Sequence, residues 1–239
     1  MGTLDHAGPA PAADGPGFLW RVLSPVGAVL LAFVLLVVGA GILSATSLSD
    51  DGTTAVLSFG TSVLLLAFGV VLWRRLPAHE RRAAVALKHS AWGAVGLGVT
   101  VGIGLVIGAA AIIVAGSAID PVVERRLDEV EEIGTAPWQI TLTVIAVVVL
   151  APLGEELLFR GLLLRALAQR IRFWPAAALS SLLFAAAHAD SYLLWPRAIA
   201  LIGTGLVLAW LYRWRGYWAS VTAHATVNTV AAIALVASS

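Results

Sequence analysis

No cysteine occurs in the 239 residues, which excludes a disulfide framework, a thiolate nucleophile and a cysteine-based zinc site. Charge is scarce too: Asp, Glu, Lys and Arg make up 12% of the chain, against about 25% in a soluble domain. With 59% hydrophobic residues, the composition is that of a membrane protein. A net charge of +1 and the lack of a Lys/Arg-rich arm beyond short basic clusters argue against a nucleic-acid partner. Any nucleophilic chemistry must therefore come from water, hydroxyls or carboxylates, and any metal would be held by His, Glu, Asp or Asn.

What is present is a series of apolar segments. A span needs about 20 mostly apolar residues, and the segments Pro25–Leu43, Thr54–Trp73, Trp92–Ala118, Trp138–Leu158, Pro175–Ala189, Arg197–Tyr212 and Tyr217–Val236 approach or meet that length. The expected fold is all-α, a polytopic transmembrane helical bundle of about seven spans. Pro175–Ala189 is short for a span, and the fourth segment is expected to run on past Arg160 towards Arg170. The expected division is a disordered tail over residues 1–17, amino-terminal transmembrane helices over 18–118, an acidic extracytoplasmic loop over 119–137 and a helical core over 138–239.

Basic residues orient the bundle, because cytoplasmic loops carry the excess of Lys and Arg. Arg74, Arg75, Arg81, Arg82 and Lys88 follow the second segment, Arg165, Arg170 and Arg172 the fourth, and Arg213 and Arg215 the sixth, whereas Asp50, Asp51 and the acidic run Asp120 to Glu132 lie on the opposite side. The amino terminus is expected inside, in a multi-pass protein of the cell membrane, a bacterial plasma membrane by the character of the chain. The third segment carries Gly98/Gly102 and Gly104/Gly108 at the small-xxx-small spacing of close helix packing. No internal repeat of the transporter kind is apparent, and ionisable residues enter the span interiors only in the carboxyl-terminal half.

Those ionisable residues carry the functional reading. Charged side chains at membrane depth cost about 2.5–3.5 kcal/mol each and persist where they face a protein interior and have partners. Glu155 and Glu156 are adjacent; Glu156 and Arg160 form an i, i+4 pair, while Glu155 points roughly 100° away and stays available. His188 follows Phe184 by four residues, and Asn228 follows His224 by four. At a helical rise of about 1.5 Å, Glu155, His188 and His224 lie roughly 15, 20 and 12 Å from the cytoplasmic side. Taken singly, His188 reads as a hydrogen-bonded core histidine and Asn228 as interhelical glue; their coincidence in depth favours one shared site.

Hydrolysis at such a site needs a base, an activated water and oxyanion support. Glu155 is the candidate base, the histidines would hold the water, and Asn228 is a neutral donor suited to an oxyanion. Two histidines and one carboxylate also form a known zinc set, so the cofactor is either none or a divalent metal such as zinc, held by Glu155, His188 and His224. The metal-free version is favoured, because no second carboxylate presents itself to orient each imidazole. A non-enzymatic immunity or scaffold protein, using the same polar cavity to bind a partner, is the alternative, and ion transport a weaker third.

Glu155-Glu156-x-x-x-Arg160, Phe184-x-x-x-His188 and His224-x-x-x-Asn228, in that order, resemble the CPBP family, which includes the CAAX prenyl endopeptidases and bacteriocin-processing or bacteriocin-immunity proteins, also called the Abi family. The resemblance covers roughly Trp138 to Val236. It implies an intramembrane endopeptidase acting on a membrane-associated peptide or protein, in which Glu155 and His188 activate water, His224 and Asn228 support the oxyanion, and Glu156 and Arg160 support the site.

Overall fold

The computed structural model describes residues 16–88, 90–127, 136–188 and 195–238. Residues 1–15 of the expected amino-terminal tail, residues 128–135 of the expected acidic loop, His6 and His89 lie outside these residues. In chain order the helices among the described residues are α1 (Phe18–Leu43), α2 (Asp50–Arg74), α3 (Ala78–Ala84), α4 (Ala91–Ile119), α5 (Pro121–Leu127), α6 (Pro137–Leu167), α7 (Phe173–Ala186), α8 (Trp195–Arg215) and α9 (Tyr217–Ser238). Six of them, α1, α2, α4, α6, α8 and α9, are long and apolar enough to cross a membrane. This is an integral, multi-pass membrane protein. The seventh expected span is α7, whose 14 residues reach about 21 Å, short of a hydrocarbon core of about 30 Å.

Caps and sterics move several boundaries. Ser49 Oγ accepts the Gly52 N–H at 3.1 Å, and Asp50 and Asp51 sit in the first turn of α2, where carboxylates complement the helix dipole. That start precedes the expected Thr54. Likewise α1 begins at Phe18 and carries Pro25 in its interior; proline's fixed φ suits a helix, and the hydrogen bond it loses is tolerated in membrane helices. The fourth segment does run past Arg160, ending at Leu167.

One end of the bundle gathers the basic residues. There Arg21 pairs with Glu80 at 2.6 Å, the Tyr212 hydroxyl donates to Ala84 O at 3.0 Å, and Leu87 forms an antiparallel bridge with Gly216. Gly216 has φ +92°, a left-handed conformation that glycine adopts without a Cβ clash, and it lets α9 turn back directly from α8. Lys88 lies at this end, donating to Arg213 O; partial burial, then the nearby Arg165 and Arg213 charges, push its pKa below the usual lysine value. The opposite end holds Asp120, whose carboxylate accepts from Trp195 Nε1 at 3.1 Å.

At the centre lies α6, where every residue from Glu156 to Leu164 is buried. The helices α1, α2, α7 and α9 surround it. Behind α9 runs α4, packed as the glycine spacing implies: a Cβ at Gly98 would stand 2.7 Å from Thr222 Cβ, and one at Gly102 would stand 2.6 Å from Thr226 Cβ. Gly104 and Gly108, the second pair, face open space instead.

Candidate active site

The helix α6 is not uniformly α-helical. Two π-helical stretches, Ile145–Leu150 and Glu156–Leu164, flank the α-helical turn Ala151–Glu155. Their i→i+5 pairing widens the turn and is a feature frequent at functional sites. Gly154, just before the two glutamates, lets α2 approach closely; a Cβ there would lie 2.7 Å from Leu66 N.

Glu156 is wholly buried and engaged on both oxygens. Its Oε1 accepts from Arg160 Nη1 at 2.7 Å and from His224 Nδ1 at 3.1 Å, while Oε2 accepts from the Ser220 hydroxyl. Arg160, also buried, donates through Nη2 to Gly205 O at 3.2 Å and lies over the Phe184 ring, 4.6 Å from its centroid. Taking two charges out of water costs several kcal/mol per ion, about balanced only when geometry and further hydrogen bonds are good; the Glu156 carboxylate meets that condition, whereas Arg160 Nε is buried with no hydrogen-bond partner among the described residues. The expected i, i+4 pair is therefore present.

Glu155 has the opposite character. Its buried Oε2 has no hydrogen-bond partner among the described residues and stands 3.9 Å from His224 Nε2, beyond direct hydrogen-bond range. Because a carboxylate can only accept here, His224 carries its proton on Nδ1 towards Glu156 and turns the Nε2 lone pair towards Glu155. The expectation that no carboxylate orients the imidazoles is thus corrected for His224: Glu156, read from sequence only as Arg160's partner, does so.

His188 lies just beyond α7, where its N–H bonds Ala185 O at 3.0 Å, rather than within a helix continuing to Ala189. Its Nδ1 stands 2.8 Å from Phe184 O, so the ring proton points at that carbonyl and Nε2 is left as an acceptor. Phe184 lies against both histidines: its ring centroid is 4.8 Å from that of His188 and 5.8 Å from that of His224. Asn228, one turn beyond His224, donates through Nδ2 to Val147 O at 2.7 Å. No group of three His, Asp or Glu side chains that could hold a metal stands together among the described residues. Glu155 and His224 face one another, but the set Glu155, His188 and His224 does not close as a ligand shell.

One segment of the sequence is similar to a known family. Residues 137–230 match the model of the type II CAAX prenyl endopeptidase Rce1-like family. The match covers less than half of the chain. A Bacillus subtilis (strain 168) protein named "Putative membrane peptidase YdiL" is 30% identical over 95 residues, which is 39% of this chain and 37% of that protein. The chain thus spans little more than a third of that relative's length. No solved structure gives a significant match. Within the matched segment the structure also brings forward a residue that sequence reasoning missed. Ser220 lies four residues before His224, so Ser220, His224 and Asn228 form a polar stripe at i, i+4 and i+8 on α9, a signal that could have found it.

Proposed function

We propose that the protein, through the segment similar to the type II CAAX prenyl endopeptidases, hydrolyses a peptide bond of a membrane-associated substrate, with a water activated by Glu155 and the two histidines. The observation that carries this reading is the division of labour between adjacent carboxylates. Glu156 is fully engaged and holds His224 in one orientation, whereas the unpartnered Glu155 oxygen faces His224 Nε2 across 3.9 Å, a gap that a single water can bridge.

In this scheme Glu155 takes a proton from the water as its oxygen attacks the substrate carbonyl carbon. His224 Nε2 accepts the water's other hydrogen and so turns a lone pair of the water oxygen towards the carbon, and His188, whose ring packs against Phe184 as that of His224 does, offers Nε2 as a further acceptor. When the tetrahedral intermediate collapses, the C–N bond breaks and Glu155 returns its proton to the departing amine, leaving a carboxylic acid and an amine. No step is routed through a metal, because the described donors do not assemble a ligand set. A cavity of about 200 Å³ is lined by Pro25, Val29, Phe159, Leu163, Leu183 and Ala187 among others, and its Phe159 ring packs edge-on against Phe184 at 5.3 Å. Its apolar lining suits an apolar substrate segment.

The test is cleavage of prenylated and unmodified membrane-anchored peptides by detergent-purified protein, beside Glu155→Gln and with or without a chelator. Cleavage lost in the variant and indifferent to chelator is the expected result. Cleavage of equal rate in Glu155→Gln would overturn the scheme, and loss on chelation would assign the step to a metal.

A further inference from the structure

The amide of Asn228 is given to the oxyanion by the family resemblance, yet its observed partner is a backbone carbonyl, and the register of α6 supplies the reason. In the first π-helical stretch the Ala151 N–H bonds Ala146 O, an i→i+5 bond. The next donor in that register, the partner due to Val147 O, is residue 152. Residue 152 is proline, which has no N–H. In this register Val147 O is therefore left without the backbone donor due to it, and Asn228 Nδ2 stands 2.7 Å from it.

We propose that Asn228 is a positioning residue, which replaces the hydrogen bond that Pro152 withholds from Val147 O and so fixes the register of α9 against the turn carrying Glu155. His224 lies one helical turn from Asn228 on α9, and Glu155 three residues from Pro152 on α6. The clamp consequently sets the separation between His224 Nε2 and Glu155 Oε2. Two further side chains act on α6 in the same manner: Tyr217 Oη donates to Leu153 O at 2.8 Å, and Ser180 Oγ to Phe159 O at 3.0 Å. The three carbonyls, at 147, 153 and 159, recur every six residues along α6, so α9 and α7 grip the site helix through its backbone on both sides of Glu155.

Proline makes the proposal separable from a role at the oxyanion. Pro152→Ala returns an N–H to the position that Val147 O needs, so it should relieve Asn228 of its clamp. The experiment is a double-mutant cycle of Asn228→Ala and Pro152→Ala on the full chain in detergent, read by thermal melting and, with a cleavable peptide, by kcat and KM. Asn228→Ala should lower Tm by about 3–8 °C when Pro152 is present and by less than half of that in the Pro152→Ala background. Cleavage should follow, with kcat falling in the single variant and returning in the double variant at unchanged KM.

An equal loss of Tm in both backgrounds would overturn the clamp. Recovery of Tm without recovery of kcat would overturn the positioning role and return Asn228 to the oxyanion. Should Pro152→Ala fail to fold, Asn228→Asp decides, because it keeps the shape and removes the donor: a variant as stable as the parent would refute the proposal. The kcat arm rests on the hydrolytic reading, but the melting cycle does not, so failure of one is distinguishable from failure of the other.

Discussion

Replacing Glu156 by Gln gives the sharpest test of how the site is held. The change keeps the shape of the side chain and removes its charge. Arg160 would remain, 1% exposed, with no carboxylate at 2.7 Å and left to Gly205 O, the Phe184 face and the more distant charge of Glu155 as compensation. Breaking one side of a buried pair costs about 3–5 kcal/mol, a large share of a total stability of about 5–15 kcal/mol. For a chain of this size that is a fall in Tm of about 6–20 °C. Removing both charges is different, because a well-packed apolar pair is often neutral or better. Glu156→Gln, Arg160→Met and the double variant, melted side by side in detergent, form the assay. The double variant should recover at least half of the loss. If Glu156→Gln alone shifts Tm by less than about 2 °C, or if the two losses simply add, the cluster is not held by charge neutralisation and the reasoning fails.

Other outcomes follow from the same geometry. Glu155→Gln should abolish cleavage yet leave Tm within about 2 °C of the parent, since its inner oxygen has no partner to lose; a large drop in melting temperature would make Glu155 structural. Gly98→Ala places a Cβ 2.8 Å from Ala219 O, against backbone that cannot yield, and should destabilise by about 1–3 kcal/mol, whereas Gly104→Ala, facing open space, should stay within about 0.5 kcal/mol. Equal effects at both glycines would refute the packing account. Lys88, whose pKa is pushed down by burial and by Arg165 and Arg213, binds its proton less well folded than unfolded. Its penalty is full below the depressed pKa and vanishes above the ordinary lysine value, so the parent should gain Tm relative to Lys88→Gln as pH rises through that alkaline window. A difference that does not change with pH would refute the assignment.

Much of this was legible before any coordinates. The apolar runs identify the long helices, since a membrane span must be apolar over a fixed length, and the i, i+4 spacing identifies Glu156 with Arg160 and Phe184 with His188. Gly98 and Gly102 announce a close helix contact, although sequence could not say which glycine pair is used, because Gly104 and Gly108 have the same spacing. The rest depends on groups that every residue shares. Any position has a carbonyl, so nothing marks Val147, Leu153 or Phe159 as the ones gripped by Asn228, Tyr217 and Ser180. The π-helical turns are equally silent, since they arise from tertiary packing and leave no periodicity of their own. The contact between Glu156 and His224 joins residues 68 positions apart, a separation that no local pattern encodes.

The position of α9 in the chain has a consequence for biogenesis. His224, Ser220, Asn228 and Tyr217 all belong to a helix that leaves the ribosome after the glutamate-bearing helix and after His188. Until α9 is inserted, Glu156 has neither the imidazole nor the hydroxyl that it holds, Val147 O has no donor, and Glu155 faces nothing it could work with. A nascent chain, or one truncated before Gly216, would thus insert its glutamates into the membrane as an inert intermediate. Whatever chemistry the site performs begins only when translation has passed its last polar stripe.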